Sequence, residues 1–405
     1  MYQTAILRNG LRLIHHRVPG KAAYCGLLIN AGSRDEREEE TGIAHFIEHL
    51  IFKGTKKRKA YHILSRMEDV GGELNAYTTK EDTCIHATFM PVHYERALEL
   101  FSDILFQSTF PEREMEKEKD VILDEINSYR DNPAELIFDD FEELLYEGYP
   151  IARNILGNAE TLRRLDKNAI TRFINRNYHP ARMVISSVGD IPFDKLARIV
   201  ERHFADYPAG TPDAGRVQPT RYNPRRLAIN KNTHQGHCVI GNIAYDYTRP
   251  ERAALSLLVN LLGGAGMNSR LNLNIRERHG LAYNIEASYT PYSDTGNCLV
   301  YFGCDKENIE RCTELCLREL QRLHEQPLGP LQLKRARAQI IGQITISSEN
   351  GENTMLANGK SFLVYDKIDT LEEAYAQIND ITPEALASVA REIFDVDKQT
   401  ILVYR

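Results

Sequence analysis

The residues most able to do chemistry are two histidines and a glutamate in the short stretch HFIEH, residues 45–49. In a helix, His45 and His49 lie one turn apart on the same face, so their imidazole nitrogens can bind one tetrahedral metal ion. Glu48 lies beside that pair and can reach a water molecule at the same ion, as a general base must. Two nitrogen ligands, an open coordination position and a carboxylate base suit hydrolysis by zinc. The motif predicts a hydrolytic zinc site; the alternative is a helix with two structural histidines.

A catalytic zinc ion usually takes three protein ligands, so the histidine pair leaves the site incomplete. The acidic stretch at 112–125 can supply the third ligand, but spacing alone does not choose among its carboxylates. These are Glu112, Glu114, Glu116, Glu118, Asp120, Asp124 and Glu125. Glu118 and Glu125 are two turns apart on one helix face, about 10.5 Å along the axis. Only one of the two can bind the ion directly, which leaves the other to support a ligand.

Strands and helices alternate around the motif. The predicted strands are 3–7, 11–16, 23–30, 74–77 and 83–90, and the predicted helices are 42–52, 61–70, 93–106 and 112–130. The first two strands form a hairpin in which Asn9 and Gly10 supply the positive φ angles of a tight turn. Thr41 is the expected N-cap of the motif helix. The motif is thus expected on a helix close to an antiparallel sheet.

The second half of the chain echoes the first at a nearly constant offset. Cys25 and Cys238 open similar strands, and Asp-Thr pairs recur at 82–83 and 294–295. Such spacing predicts two copies of one supersecondary unit. The proline-rich stretch 207–226 between them is typical of a linker. We therefore expect two α+β domains, 1–206 and 227–405, each a mostly antiparallel sheet with helices on one face, which enclose a chamber.

The second copy does not keep the chemistry of the first. When Met115 is aligned with Leu333, Gln343 stands opposite Glu125 and Ala336 opposite Glu118. The apolar run 257–262 occupies the place of the HFIEH helix. Zinc chemistry is therefore expected in the first half alone.

Composition excludes several classes of protein. Of the 405 residues, 42% are hydrophobic and 26% charged, which is ordinary for a globular chain. The net charge of −7 argues against a nucleic-acid partner, and no apolar run reaches the roughly 20 residues of a membrane span. Seven cysteines without a CxxC pair fit reduced thiols, so we expect a cytoplasmic protein without a membrane partner.

Three segments together resemble a known family. They are GIAHFIEHLIFKGT at 42–55, GGELNAYTTKEDT at 71–83 and EKEKDVILDEI at 116–126. In this order they resemble the zinc-dependent M16 peptidases, the family of pitrilysin, insulin-degrading enzyme and mitochondrial processing peptidase, and most of all its short M16B branch. The resemblance covers essentially the whole chain. It implies two homologous domains of the LuxS/MPP-like metallohydrolase fold and one zinc ion per chain.

The resemblance also implies a role for each motif residue. His45, His49 and Glu125 match the family's three zinc ligands. Glu118 matches an auxiliary glutamate that supports the ligands from outside. Glu48 matches the general base, which takes a proton from the attacking water and passes it to the leaving amine.

Further positions match residues that hold the substrate in this family. In the segment RERHGLAY, Arg276 and Tyr283 match a pair that binds the substrate carbonyl, with Gly280 between them as a helix C-cap. Asn75 and Ala76 match an edge strand to which an extended peptide adds by backbone pairing.

Glu135 and Asp139 match acidic positions that the processing peptidases use for an arginine upstream of the cleaved bond. They lie four residues apart on one helix face, so an ordinary solvated face is the alternative. The resemblance implies a zinc endopeptidase for peptides or unfolded presequence-like segments. Because one chain carries both elements, a self-sufficient protomer or a homodimer is favoured over a heterodimer, and we expect a homodimer. The alternatives are a catalytically idle scaffold subunit and a maturase dedicated to one peptide precursor.

Overall fold

The computed structural model describes residues 2–210 and 215–405 and divides into two compact units, each assembled from three segments. The first unit comprises Met1–Asn127, Arg153–Val217 and Ile346–Ile368, and the second comprises Ser128–Ala152, Gln218–Thr345 and Asp369–Arg405. The boundary after Val217 falls in the predicted linker, of which residues 211–214 lie outside the described chain. The first unit thus includes Ile346–Ile368 from the second half of the chain, and the second unit includes Ser128–Ala152 from the first half. The expected division at 1–206 and 227–405 does not include this exchange.

Each unit is built on one sheet. The strands are β1 (Tyr2–Ile6), β2 (Arg12–Arg17), β3 (Ala23–Ile29), β4 (Glu73–Thr78), β5 (Thr83–Phe89), β6 (Met183–Gly189), β7 (Arg226–Ile229), β8 (Gly236–Ile243), β9 (Ala282–Pro291), β10 (Gly296–Cys304) and β11 (Thr400–Tyr404). The first sheet has the order β1-β2-β6-β3-β5-β4 and the second the order β7-β11-β8-β10-β9. The pairs β2/β6 and β7/β11 are parallel and the other pairs antiparallel. The mostly antiparallel α+β architecture expected from the sequence is confirmed.

The helices cover both sheets. They are α1 (Ile43–Leu50), α2 (Ala60–Glu68), α3 (Tyr94–Phe106), α4 (Glu112–Arg130), α5 (Pro133–Leu145), α6 (Ala159–Arg164), α7 (Lys167–Asn177), α8 (Phe193–Phe204), α9 (Arg252–Gly263), α10 (Ile309–Glu325), α11 (Pro330–Ser348), α12 (Gly351–Tyr365), α13 (Leu371–Asp380) and α14 (Pro383–Ile393). Short 3₁₀ turns and one π-helical turn at 272–277 complete the set. None of the helices in the described residues is both long enough and apolar enough to cross a bilayer.

The exchanged helices fill the second face of each sheet. On β6, Ser187 contacts Tyr94 of α3, while the adjacent Ser186 donates a hydrogen bond to the Met355 carbonyl of α12. Because successive strand residues point to opposite faces, α3 and α12 lie on opposite sides of the first sheet. The second sheet repeats this pattern, since Cys238 belongs to the core beneath α9, α10 and α14, whereas Val239 belongs to the core beneath α5.

The predicted internal repeat is confirmed by these elements. Helices α4 and α11 are both 19 residues long. Each is followed by a helix that belongs to the other unit, α5 after α4 and α12 after α11. Met115 and Leu333, aligned from the sequence, are each the fourth residue of their helix, and both are buried.

The predicted Asn9-Gly10 turn is only half right. Strands β1 and β2 form the expected hairpin, and Gly10 has a φ of 88°. Asn9 does not adopt a positive φ. Its buried side chain instead donates hydrogen bonds to the carbonyls of Phe204 and Tyr207, so a tertiary contact determines its conformation.

Candidate functional site

The helix with the HFIEH motif, α1, begins at a close contact between backbone segments. Gly42, just before its first residue, has a φ of 92°, and a Cβ there would lie 2.9 Å from the Leu156 carbonyl oxygen. A side chain at this position would therefore be strained and would also clash, which makes glycine necessary.

The N-terminus of α1 is capped from a distance by Glu36. Its carboxylate accepts the N–H groups of Gly42 and Ala44, both at 2.9 Å. The prediction that Thr41 is the N-cap is wrong, because its hydroxyl donates instead to the Glu38 carbonyl. Burial raises the pKa of Glu36 to about 8, while the two N–H bonds oppose that rise. A buried carboxyl group thus fixes the first turn of the motif helix.

The three predicted metal ligands converge. Glu125 Oε2 lies 3.8 Å from His45 Nε2 and 3.7 Å from His49 Nε2, and the two imidazole rings meet edge to face. All three ligand atoms lie within 4.8 Å of one another. Bonds of about 2.1 Å in a tetrahedral zinc site separate the ligand atoms by about 3.4 Å. The two imidazoles and the carboxylate therefore fit a zinc ion, and among the described residues no other such cluster occurs.

Glu118 lies outside this trio, on α4, and contacts the far side of His49. His49 Nδ1 is 3.1 Å from Glu118 Oε2, and Lys53 Nζ is 2.7 Å from Glu118 Oε1. An ionised carboxylate only accepts hydrogen bonds, so the proton of His49 resides on Nδ1. The lone pair of Nε2 is then directed toward His45 and Glu125, as metal binding requires.

The electrostatics of the motif suit these roles. Burial and, to a lesser extent, the neighbouring His49 together lower the pKa of His45 to about 4. His45 is therefore neutral at pH 7, the form that binds metal. Burial raises the pKa of Glu48, and the nearby Thr78 and His49 oppose that rise. A carboxylate with a raised pKa is better matched to proton transfer near neutral pH.

The expected substrate strand lies in the same unit. Strand β4, which carries Asn75 and Ala76, pairs with β5 along one edge, and no described strand pairs with the other. Asn75 is exposed. Thr78, at the end of β4, lies close to Glu48. The structure therefore brings the open sheet edge next to the motif helix.

The four remaining predicted residues lie in the second unit. Arg276 is exposed in the π-helical turn, and Tyr283 of β9 donates a hydrogen bond to Asp305 at 2.9 Å, with Gly280 at a φ of 64° between them. Glu135 is exposed and Asp139 half-buried on α5. None of the four lies within the unit that holds the metal ligands.

Two residues at the site were missed by sequence reasoning. Glu36 belongs to the acidic loop before α1, and Lys53 follows the end of that helix. The sequence distance of either residue from the motif does not predict a contact with it. Only the burial of Glu36 in the folded chain, where it is 5% exposed, reveals its special position.

Known proteins resemble this chain over nearly its whole length. A family model described as Insulinase (Peptidase family M16) matches residues 12–159, and one described as Peptidase M16 inactive domain matches residues 164–340. An uncharacterized zinc protease of Bacillus subtilis is 32% identical over 98% of this chain and 96% of its own. The chain belongs to peptidase family M16. Another relative of this M16 chain, an uncharacterized zinc protease of Streptomyces coelicolor, is 32% identical over 96% of this chain and 86% of its own.

Solved structures show the same M16 fold. A protease from Helicobacter pylori has a TM-score of 0.92 at 21% identity and covers 100% of this chain and 99% of its own. A Pseudomonas fluorescens structure described as a peptidase M16 inactive domain has the same TM-score and identity, with 100% and 98% covered. The match of residues 164–340 to an inactive domain agrees with Ala336, which aligns with Glu118 in the sequence comparison of the two halves.

Proposed function

We propose that this M16 protein is a zinc-dependent metalloendopeptidase that hydrolyses peptides or unfolded presequence-like segments. The observation that carries the proposal is the convergence of His45 Nε2, His49 Nε2 and Glu125 Oε2 on one point, with Glu48 on the same helix. An idle scaffold has no need to keep this set of ligands intact together with a base.

Metal binding and proton transfer are assigned to different residues of the chain. His45, His49 and Glu125 would hold one zinc ion, which when bound polarises a carbonyl and acidifies water. Glu48 takes the proton from the attacking water and returns it to the nitrogen of the leaving amine, so no proton is lost or gained overall.

The substrate is proposed to bind mainly through its backbone. An extended peptide adds to the open edge of β4 at Asn75 and Ala76, and Arg276 and Tyr283 hold the carbonyl of the cleaved bond. Glu135 and Asp139 are proposed to favour a basic side chain upstream of that bond. We further propose a cytoplasmic homodimer whose protomers are each complete, because one chain carries both the metal ligands and the Arg276/Tyr283 element.

A metal assay combined with a peptide-library digest tests this function. The protein as purified is expected to hold one zinc ion per chain and to cleave library peptides, as read by mass spectrometry. Removal of zinc with a chelator should stop cleavage, and added zinc should restore it. A protein that binds no zinc and cleaves no peptide would be a scaffold instead. Cleavage of only one precursor sequence would identify a dedicated maturase.

A further inference from the structure

Lys53 supplies the charge that balances a buried carboxylate at the metal site. The Glu118 side chain is 8% exposed, and both of its oxygens are occupied, one by His49 Nδ1 at 3.1 Å and one by Lys53 Nζ at 2.7 Å. A buried carboxylate is costly unless it is paired and hydrogen-bonded. Imidazole donates only one hydrogen bond here, so the ammonium group is the cation that stabilises Glu118.

The two contacts together fix the orientation of Glu118. A carboxylate held through one oxygen can rotate about its last torsion angle, whereas one held through both oxygens cannot. The orientation of Glu118 in turn sets the ring plane and the tautomer of His49. Lys53 therefore acts on the metal ligand through one intermediate residue.

The backbone of Lys53 is itself well anchored. Its N–H donates to the carbonyl of Leu50, the last residue of α1, at 3.0 Å. Two residues later, the Thr55 hydroxyl donates to Asp103 of α3 at 2.9 Å, and Arg58 pairs with the same carboxylate at 2.6 Å. The side chain of Lys53 thus links the end of the motif helix to α4, the helix that carries Glu118 and Glu125.

We propose that Lys53 is a positioning residue of the metal site: it holds Glu118 in the orientation that directs His49 Nε2 at the metal. This inference rests on the proposed zinc site. It assigns Lys53 no contact with the substrate or with the reacting atoms.

The test compares wild type with Lys53→Met and Lys53→Arg, and with Lys57→Met as the matched control at an exposed lysine. Zinc affinity is measured by competition with a chelator, and the absorption spectrum of the cobalt-substituted protein reports ligand geometry. Lys53→Met is expected to lower zinc affinity by roughly 10- to 100-fold, as other residues that support metal ligands do. It should also shift the cobalt spectrum and lower kcat more than it changes KM. Lys53→Arg should recover most of the affinity, and Lys57→Met should match wild type.

Wild-type zinc affinity and an unchanged cobalt spectrum in Lys53→Met would overturn the inference. If Lys53→Met does not fold, the same change is made in a Glu118→Gln background, where no charge is left to balance. There it should cause no further loss of affinity beyond that of Glu118→Gln alone, and a full additional loss would contradict the proposed role. A wild-type protein that binds zinc but cleaves nothing would refute the proposed function, while the affinity comparison would still decide the role of Lys53.

Discussion

The carboxylate of Glu36 accepts the N–H of Ala44 at 2.9 Å, one residue before His45, the first histidine of the candidate metal site. Its second oxygen accepts the N–H of Gly42 at the same distance. The first turn of an α-helix has no partners for these N–H groups within the helix, so a side chain from outside must satisfy them. The position of His45 therefore depends on a residue nine positions earlier in the chain.

Replacing Glu36 with alanine is expected to destabilise the protein by about 1–3 kcal/mol, because two buried N–H groups lose their acceptor. Glu36→Gln should cost less, since its amide oxygen still accepts one bond. Urea unfolding measures both changes, with Glu39→Ala as the control at an exposed glutamate of the same loop. Equal stability of Glu36→Ala and Glu39→Ala would contradict the capping role.

The sequence predicted the clustering of His45, His49 and Glu125 better than the contacts around that cluster. The His45/His49 spacing gives the same-face geometry directly, whereas Glu125 was chosen over Glu118 only through the family resemblance. In the structure, Glu125 faces Nε2 of both His45 and His49, whereas Glu118 faces Nδ1 of His49. This geometry supports Glu125 as the ligand.

Long-range contacts explain the features that sequence reasoning missed. Local preference favoured Thr41 as a cap and Asn9 in a turn, but Glu36 and the carbonyl of Phe204 determine those positions from a distance. An apolar helix face likewise does not indicate which sheet it will cover. The exchange of α5 and α12 between the units therefore could not be predicted from periodicity.

Glu125→Gln should weaken zinc binding more than Glu118→Gln does. Glu125→Gln removes a charged ligand, whereas Glu118→Gln removes only the support of a ligand. Loss of such support typically lowers metal affinity by roughly 10- to 100-fold. Chelator competition gives both affinities, with Asp124→Asn as the control at an exposed neighbour. The reverse order of affinities would make Glu118 the ligand.

Arg276→Ala and Tyr283→Phe are expected to lower kcat by roughly 100-fold or more while zinc affinity stays unchanged, because both are proposed to donate to an oxygen that gains charge during hydrolysis. Steady-state kinetics on a quenched fluorescent peptide measures the loss. Arg278→Ala, at an exposed position two residues away, should leave kcat unchanged. A loss of zinc in either variant would point to a structural role instead.

His15 is expected to make stability depend on pH. It is fully buried on β2, with Nε2 donating to the Ile191 carbonyl at 3.0 Å, and burial lowers its pKa below 6.5. The unfolded chain takes up a proton at His15 as the pH falls through 6.5, and the folded chain does not. Its contribution to stability is therefore complete above pH 6.5 and is lost as the pH falls.

The midpoint of urea unfolding of the zinc-free protein, measured from pH 8 to pH 5, tests this linkage. The decrease toward pH 5 should be smaller in His15→Gln than in wild type. His62→Gln, at an exposed histidine, should follow the wild-type curve. Parallel curves for wild type and His15→Gln would rule out a contribution from His15.

The assignment of Glu48 as the base of a zinc peptidase is tested most directly by Glu48→Gln. Glutamine keeps the size of the side chain but cannot take a proton, and general bases contribute roughly 10²- to 10⁴-fold to rate. Zinc content and peptide hydrolysis are measured on the same sample. The variant is expected to hold one zinc ion per chain and to lose hydrolysis by that factor. Full hydrolysis by the zinc-loaded variant would contradict the account.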